Sequence, residues 1–396
     1  MAKNRVQEKR NRQGFEDVSS YSSGEYKKRR KGHRSRIVLQ GVAAFLCVVM
    51  ILFGSALIYI STDVIGELTT NVITKDPVEL GFHEEAIKDD KVINIAMFGV
   101  DTRNSSYTGL SDVNMILTVD NRHGKVKLTS ILRDSLVHIE GQADDGGYRD
   151  VDTKMNAAYS WGGPKMAIHT LNQNFGLRIE DYVTINFVNM AAIVDAFGGV
   201  EMEVTADEVS EINLNLSNLV WEVEDKKQED MALGIYEGMN YPQVQDSDYM
   251  TATGDVDTYL LNGNQAVYYG RIRNIGSDFA RVERQQKVLQ GLIERLKRMS
   301  VTDYPNMVKQ LMPYCETSLE LNDIVSMLPI LTTDLSVEKI SVPDMELDNP
   351  QDIKYDLVYD LTQASKRISA FMYEEGSPYW SEYNGTGNAG VGKNTD

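Results

Sequence analysis

Residues 37–60 form an apolar run of 24 residues that contains no formally charged side chain. At about 1.5 Å rise per residue, a helix of that length crosses a hydrocarbon layer of roughly 30 Å. Gln40 falls near one end of the run, where a polar amide is cheaper to place than at mid-membrane. A single transmembrane helix is therefore expected. Twelve Lys or Arg and four acids precede it, giving residues 1–36 a charge of +8. The positive-inside bias keeps that segment cytoplasmic and sends the chain after about residue 61 outside. The rival reading is a cleaved signal peptide. The length of the run, its distance from Met1 and the exit through Ser61, Thr62 and Asp63 without a small-x-small motif favour an uncleaved anchor.

Subtracting that +8 from the whole-chain −18 leaves −26 for residues 37–396. So acidic a domain repels nucleic acid unless a local basic site overrides the field, so no nucleic-acid partner is expected. The basic segment before the anchor suits anionic lipid headgroups. A transcription regulator fits poorly, because the acidic globular region would sit across the membrane from DNA. Two cysteines occur, Cys47 inside the apolar run and Cys315 far downstream. No disulfide between external cysteines of one chain is available, so a packed core must supply stability.

The 396 residues are read as a basic cytoplasmic segment at 1–36, the transmembrane helix at 37–60, a juxtamembrane region at 61–90, a main domain at 91–345, a C-terminal extension at 346–374 and a flexible tail at 375–396. In the main domain, apolar runs at 91–101 and 113–120 read as strands, and Asn121 to Gly124 supplies a reversal before a third strand at 125–131. Helical spacing is expected over 164–175 and from Phe187 to Phe197, with a strand between them at 182–186. Gly198 and Gly199 stop the second helix ahead of a strand at 200–204. Residues 205–260 are hard to place, and 222–230 reads as a solvated acidic insertion. Further helices are expected at 281–298, 307–312 and 324–331, then a strand at 339–342. The fold class is α/β, a mixed central sheet flanked by helices behind an N-terminal single-pass transmembrane helix.

Several clusters could carry chemistry. Asp101 and Arg103 follow the first strand, and Asp112 precedes the second, so the two acids could converge on an oxygen-rich Mg²⁺ site. Arg133 and Asp134 end the third strand. The arginine can present several donors to phosphate oxygens, and the aspartate can orient it or accept a proton. An Arg–Asp latch is the structural alternative for both pairs. Lys154 can meet phosphate near a helix entrance, where Asn156 is a candidate cap and Tyr159 a packing residue. The densest cluster is Arg271 and Arg273, followed by Asp278, Arg281, Arg284 and Gln285. In an extended segment Arg271 and Arg273 would face one side, and on the next helix Arg281, Arg284 and Gln285 can share a surface. That concentrates a polyanion site within an acidic chain, with a purely structural ion-pair network as the alternative.

The ordered set of these motifs, from Val92 to Val342, resembles the LytR-CpsA-Psr family of cell-wall glycopolymer transferases. The resemblance implies an α/β core with a lipid-accommodating pocket and a pyrophosphate site at its mouth. It implies Asp101 and Asp112 as Mg²⁺-associated acids and Arg133, Arg271, Arg273 and Arg281 as phosphate-binding or transition-state groups. Asp278 and Gln285 would arrange the late segment. The implied reaction moves a glycopolymer phosphate from a polyprenyl-pyrophosphate-linked donor to a peptidoglycan sugar hydroxyl. A lipid-pyrophosphate hydrolase and a non-catalytic wall-polymer-binding or assembly protein are the alternatives. The chain departs from the family at Leu110, where members often carry an arginine before the Ser-Asp pair. Neighbouring arginines must supply that donor, or donor handling differs.

Overall fold

The computed structural model describes residues 73–100, 109–234, 241–300, 303–320 and 336–384, together with 323, 327 and 330. The apolar run at 37–60, the pair Asp101 and Arg103, and most of the helix expected at 324–331 lie outside the described residues. Among the described residues no helix is long and apolar enough to cross a membrane.

Six strands build the main sheet: β1 (Val92–Val100), β2 (Ser111–Asp120), β3 (Lys125–Ile131), β6 (Asp181–Asn186), β9 (Glu316–Thr317) and β10 (Ser336–Val342), in the order β10-β3-β2-β1-β6-β9. β1 pairs antiparallel with β2 and parallel with β6, while β3 pairs antiparallel with β2 and parallel with β10. The carboxyl ends of β1, β3, β6 and β10 and the start of β2 consequently share one edge. Three two-stranded antiparallel pairs flank the sheet: the hairpins β4 (Leu136–Gln142) with β5 (Tyr148–Lys154) and β11 (Gln351–Ile353) with β12 (Asp356–Val358), and β7 (Val200–Thr205) with β8 (Val256–Leu261), which are joined through a long helical excursion. The reversal read at Asn121 to Gly124 is present, with Gly124 at φ 68°, a left-handed backbone that glycine adopts without Cβ strain.

Side chains alternate across the sheet, so each face has its own helices. On one face Ala96, Phe98, Ile116, Ile131 and Tyr182 pack against α1 (Met155–Phe175) and α7 (Leu361–Tyr373). Residues 346–374, set apart as an extension in the sequence reading, thus supply Ala364, Ile368 and Phe371 to the main core. The chain continues beyond them through α8 (Trp380–Asn384). On the other face lie α2 (Phe187–Ala196), α4 (Gly263–Arg271), α5 (Asp278–Arg298) and α6 (Tyr304–Leu311).

Two helices differ from the sequence expectation. α1 begins nine residues before Pro164, because Gly162 (φ −150°) and Gly163 (φ 59°) kink a continuous element and Pro164 restarts it. Its N-cap is Lys154, and Asn156 is buried inside the first turn instead of capping. The segment read as a solvated insertion is the end of α3 (Ala206–Leu233). Val209, Ile212, Leu216, Leu219 and Val223 form one buried stripe, and a capping box at Thr205 and Glu208 starts the helix.

α2 and α4 approach closely at Gly263, whose N–H donates to Asp195 Oδ1 at 2.7 Å. A Cβ at Gly263 would collide with the carbonyl of Ala191. Gly263→Ala is therefore expected to destabilise the fold by about 1–3 kcal/mol, as overpacking does, read as a lowered urea midpoint at unchanged slope.

Candidate active site

At the shared sheet edge, β2 begins with Ser111 and Asp112, and β3 runs out into Arg133 and Asp134. The first turn of α5 lies across them, so that Asp112, Arg133, Asp134, Asp278, Arg281 and Gln285 line one small recess. Arg133 donates from Nη1 to Asp112 Oδ1 at 2.8 Å and from Nε to Asp134 Oδ2 at 3.3 Å. Lys154 reaches the other oxygen of Asp134 at 2.6 Å, and Arg273 Nη2 stands 3.7 Å from Asp112 Oδ2. Burial opposes the charge on Arg133, but the bond to Asp112 and the neighbouring carboxylates outweigh it and hold its guanidinium above the ordinary value.

Arg281 is in the opposite situation. It is 4% exposed, and its Nη1 lies 2.8 Å from Asp278 Oδ1. That contact is off the hydrogen-bond direction, so Nε and Nη1 are buried without an acceptor. Burial first, then the positive charge of Arg133, pushes the Arg281 guanidinium below its ordinary value. A buried cation with unused donors is costly unless an anion completes it. Two donors of Arg281 therefore remain for an oxygen acceptor at the recess.

Behind it, between the second sheet face and α2, α4 and α5, lies an apolar cavity of about 340 Å³. Met97, Val183, Ile185, Met190, Leu289 and Leu292 are among its walls, and Cys315 lines it too, its thiol pushed up to about 11 by burial. Val113, Met115 and Gln285 line both the recess and the cavity, joining the two. Arg271 stands at the cavity wall with its guanidinium 4.3 Å from the Phe187 ring centroid and 5.6 Å from that of Tyr268. Cation and apolar space therefore meet in one place. That suits an amphiphile with an anionic head.

Together, the described residues of the sequence-predicted set fall into three groups. Asp112, Arg133, Asp134, Lys154, Arg273, Asp278, Arg281 and Gln285 converge at the recess. Arg271 ends α4 instead of lying on an extended strand, so it and Arg273 diverge, one toward the aromatic rings and one toward Asp112. Arg284 points away: Nε donates to Glu208 at 3.0 Å and the other nitrogens to the carbonyls of Ile272 and Ile275 at 3.1 and 2.5 Å. It clamps the loop that carries Arg273. Gln286 was missed. It is buried and donates to Ser130 Oγ and the Ile340 carbonyl, both at 2.9 Å, which pins α5 to the sheet. A polar residue between Val282 and Leu289 on the sheet-facing side of a helix was the available signal.

One group of side chains among the described residues has donor atoms close enough together to hold a metal ion: Asp120, His123 and Glu374. It lies at the far end of β2 from Asp112, roughly 26 Å away for eight residues of strand. The ammonium of Lys127 stands within it, 3.0 Å from Asp120 Oδ2 and 2.8 Å from Glu374 Oε1, and supplies a cation of its own.

Residues 58–370 match the LytR_cpsA_psr family. The chain belongs to that family. Its curated relatives include biofilm regulatory protein A of Streptococcus mutans, 29% identical over 251 residues that cover 61% of this chain and 53% of that protein. The chain thus spans about half the length of that relative. The polyisoprenyl-teichoic acid–peptidoglycan teichoic acid transferase TagT of Bacillus subtilis is 24% identical over 328 residues, covering 80% of this chain and 87% of TagT. Among solved structures, that of Bacillus subtilis TagV superposes with a TM-score of 0.50 at 20% identity, over 72% of this chain and 98% of TagV. The likeness establishes a shared fold.

Proposed function

We propose that this family member is a membrane-anchored transferase with its catalytic domain outside the cell, moving a glycopolymer phosphate from a polyprenyl-pyrophosphate donor to a peptidoglycan sugar hydroxyl. The observation that carries the reading is the buried Arg281 guanidinium, ion-paired to Asp278 but with Nε and Nη1 lacking a hydrogen-bond acceptor, at a recess that joins an apolar cavity. The polyprenyl chain occupies the cavity, and the pyrophosphate lies against Arg281, Arg133 and Arg271, with Arg273 closing from the solvent side. The names of TagT and other relatives, teichoic acid transferases acting on peptidoglycan, agree with this assignment. The 37–60 run and the basic segment before it support the membrane placement with the domain outside.

In the reaction the acceptor oxygen bonds to the phosphorus next to the glycan. The bond from that phosphorus to the bridging oxygen breaks, polyprenyl phosphate leaves, and a phosphodiester joins glycan to acceptor. The muramic-acid C6 hydroxyl is the proposed acceptor. Arg281 and Arg133 are aimed where charge develops, and because they are already fixed by burial and ion pairs, little reorganisation is needed. Asp134 is the proposed proton acceptor; Lys154 and Arg133 hold it in place. Asp112 and Asp101 are the proposed Mg²⁺ ligands: Asp112 presents a hard oxygen donor of the kind that ion prefers at the recess, and Asp101 lies outside the described residues. When bound, Mg²⁺ would neutralise pyrophosphate oxygens.

Reconstitution with a defined lipid-linked donor and peptidoglycan, followed by mass analysis of the digested wall, tests the assignment. A donor-derived phosphodiester on muropeptides is expected. Exclusive release of soluble phosphorylated glycan would make the protein a hydrolase, and carrier binding without turnover a receptor. The cavity has its own test. Leu289→Trp is expected to weaken binding of a polyprenyl-linked donor by about tenfold or more while leaving inorganic pyrophosphate binding unchanged, measured by titration calorimetry.

A further inference from the structure

On the other side of Arg271 from the apolar cavity lies a second space of about 410 Å³, with a different lining. Its walls come from α2, from α4 and from the segment between residues 241 and 248. Phe187, Val267 and Arg271 line both spaces, so the two meet at the guanidinium. The second space presents the carboxamides of Gln243, Gln245, Asn262 and Asn264 and the phenol rings of Tyr241 and Tyr268. Arg271 is the one cation in the lining, and Asp195 and Asp248 are its acids.

Asp248 organises the floor. It is 6% exposed, and it accepts from Asn262 Nδ2 at 2.8 Å through Oδ1 and from Asn264 Nδ2 and the Gln245 N–H, each at 2.8 Å, through Oδ2. Asn264 also donates to the Gln243 carbonyl, and the Gln265 amide to the Asp248 carbonyl. These bonds use both amide hydrogens of Asn264 and one of Asn262 within the floor and so make it rigid, and the side chains of Gln243, Gln245 and Ser247 line the space above it. A volume of this size falls within the usual range for small-molecule pockets.

Amides, hydroxyls and aromatic rings without a cluster of cations match a ligand rich in hydroxyl groups and free of charge. The two carboxylates make a polyanionic ligand unfavourable here, a repulsive element that separates two kinds of polymer. We propose that this groove is a saccharide subsite, which takes an uncharged sugar unit next to the phosphate held at Arg271 and rejects phosphate-repeat chains. The proposal rests on the reading of Arg271 as a phosphate contact. The sugar can come from the donor glycan or from the acceptor strand, because the chemistry recognised is the same.

Full-length protein in detergent micelles, titrated with three probes, decides the matter. The probes are a disaccharide linked through pyrophosphate to a short isoprenoid, a neutral tetrasaccharide of β-1,4-linked N-acetylglucosamine, and a glycerol-phosphate oligomer. Ser247→Trp, which fills the groove from an exposed position, and the milder Gln245→Ala are expected to weaken binding of a saccharide probe by about tenfold or more. The probe that responds identifies the donor or the acceptor as the source. Inorganic pyrophosphate binding should be unchanged in both variants. Undiminished binding of both saccharide probes in Ser247→Trp, or a wild-type preference for the glycerol-phosphate oligomer, would overturn the proposal. Pyrophosphate binding that is insensitive to Arg271→Met would instead sink the phosphate reading, and the two failures are read on different variants and probes.

Discussion

Arg281→Met is expected to lower glycopolymer transfer by about 10²–10³-fold, the cost of removing one preorganised donor from a developing anion. The same substitution should leave the melting temperature unchanged or raise it. Arg281 is 4% exposed, with two nitrogens lacking an acceptor, so the native state carries an incompletely compensated charge. An apolar side chain of similar length relieves that cost. The opposite signs separate a functional role from a structural one, since a residue kept for stability would lose both together. Transfer measured by wall-linked product and melting followed by circular dichroism supply the two readings. Retention of transfer within about threefold, with the fold intact, would contradict the assignment.

Arg284 is the informative contrast. It sits one turn further along α5, is equally buried, and looked equivalent to Arg281 in the sequence. Its donors are consumed by Glu208 and by the carbonyls of Ile272 and Ile275. Spacing along a helix places residues on a face, but it does not reveal which neighbours that face meets. Glu208 belongs to the first turn of α3, which the sequence reading left unplaced, so Arg284's partner could not be anticipated. α3 itself was hidden because its exposed side carries nearly all the acids of 222–230 while its buried stripe, Val209 to Val223, is spread over about four turns. The Thr205 and Glu208 capping box was the readable mark of its start.

The strands were easier to read for a physical reason. β3 runs from Lys125 to Ile131 as expected, because Asn121 to Gly124 fixes the turn and the pleat then alternates the side chains. The chemistry-bearing residues followed from this, since β2 and β3 are adjacent and antiparallel and must bring Asp112 beside Arg133. Arg271 and Arg273 were harder. The Asn262 and Gln265 capping box commits residues 263–271 to a helix, so the two arginines straddle a helix end and separate. The apolar cavity was expected from the family resemblance alone: its lining positions are indistinguishable in sequence from ordinary core, and the spacing of α2, α4 and α5 from the sheet is what leaves the space open.

At the opposite end of β2, Lys127→Met is expected to destabilise the protein by about 3–5 kcal/mol, the effect of breaking a buried ion pair by removing one partner. Lys127 and Asp120 are both fully buried, and Lys127 bonds Asp120, Glu374 and the Met372 carbonyl. It thereby ties the end of α7 to the sheet. Burial raises the Asp120 carboxyl, but the bonds from His123 and Lys127 outweigh it and hold it below its ordinary 3.8. Glu374 is likewise held below 4.5, burial being outweighed by Lys125 and Lys127. Burial lowers His123, yet its bond to Asp120 dominates and lifts it above 6.5. The signs then follow. The carboxylates contribute stability that is complete above their unfolded values and is lost as pH falls through the depressed ones. His123 contributes stability that is complete below 6.5 and is lost as pH rises through its raised value. Both contributions coexist between the two limits, so stability in urea should peak on the acid side of neutrality. His123→Gln should flatten the loss above 6.5 and, by removing the first of the bonds that hold Asp120 low, also move the acid limb upward, whereas Lys127→Met should lower the whole curve as well as shift the acid limb. A Lys127→Met variant within about 1 kcal/mol of wild type across that range would show that the lysine is dispensable there, and that Asp120 and Glu374 are satisfied by His123 and the backbone alone.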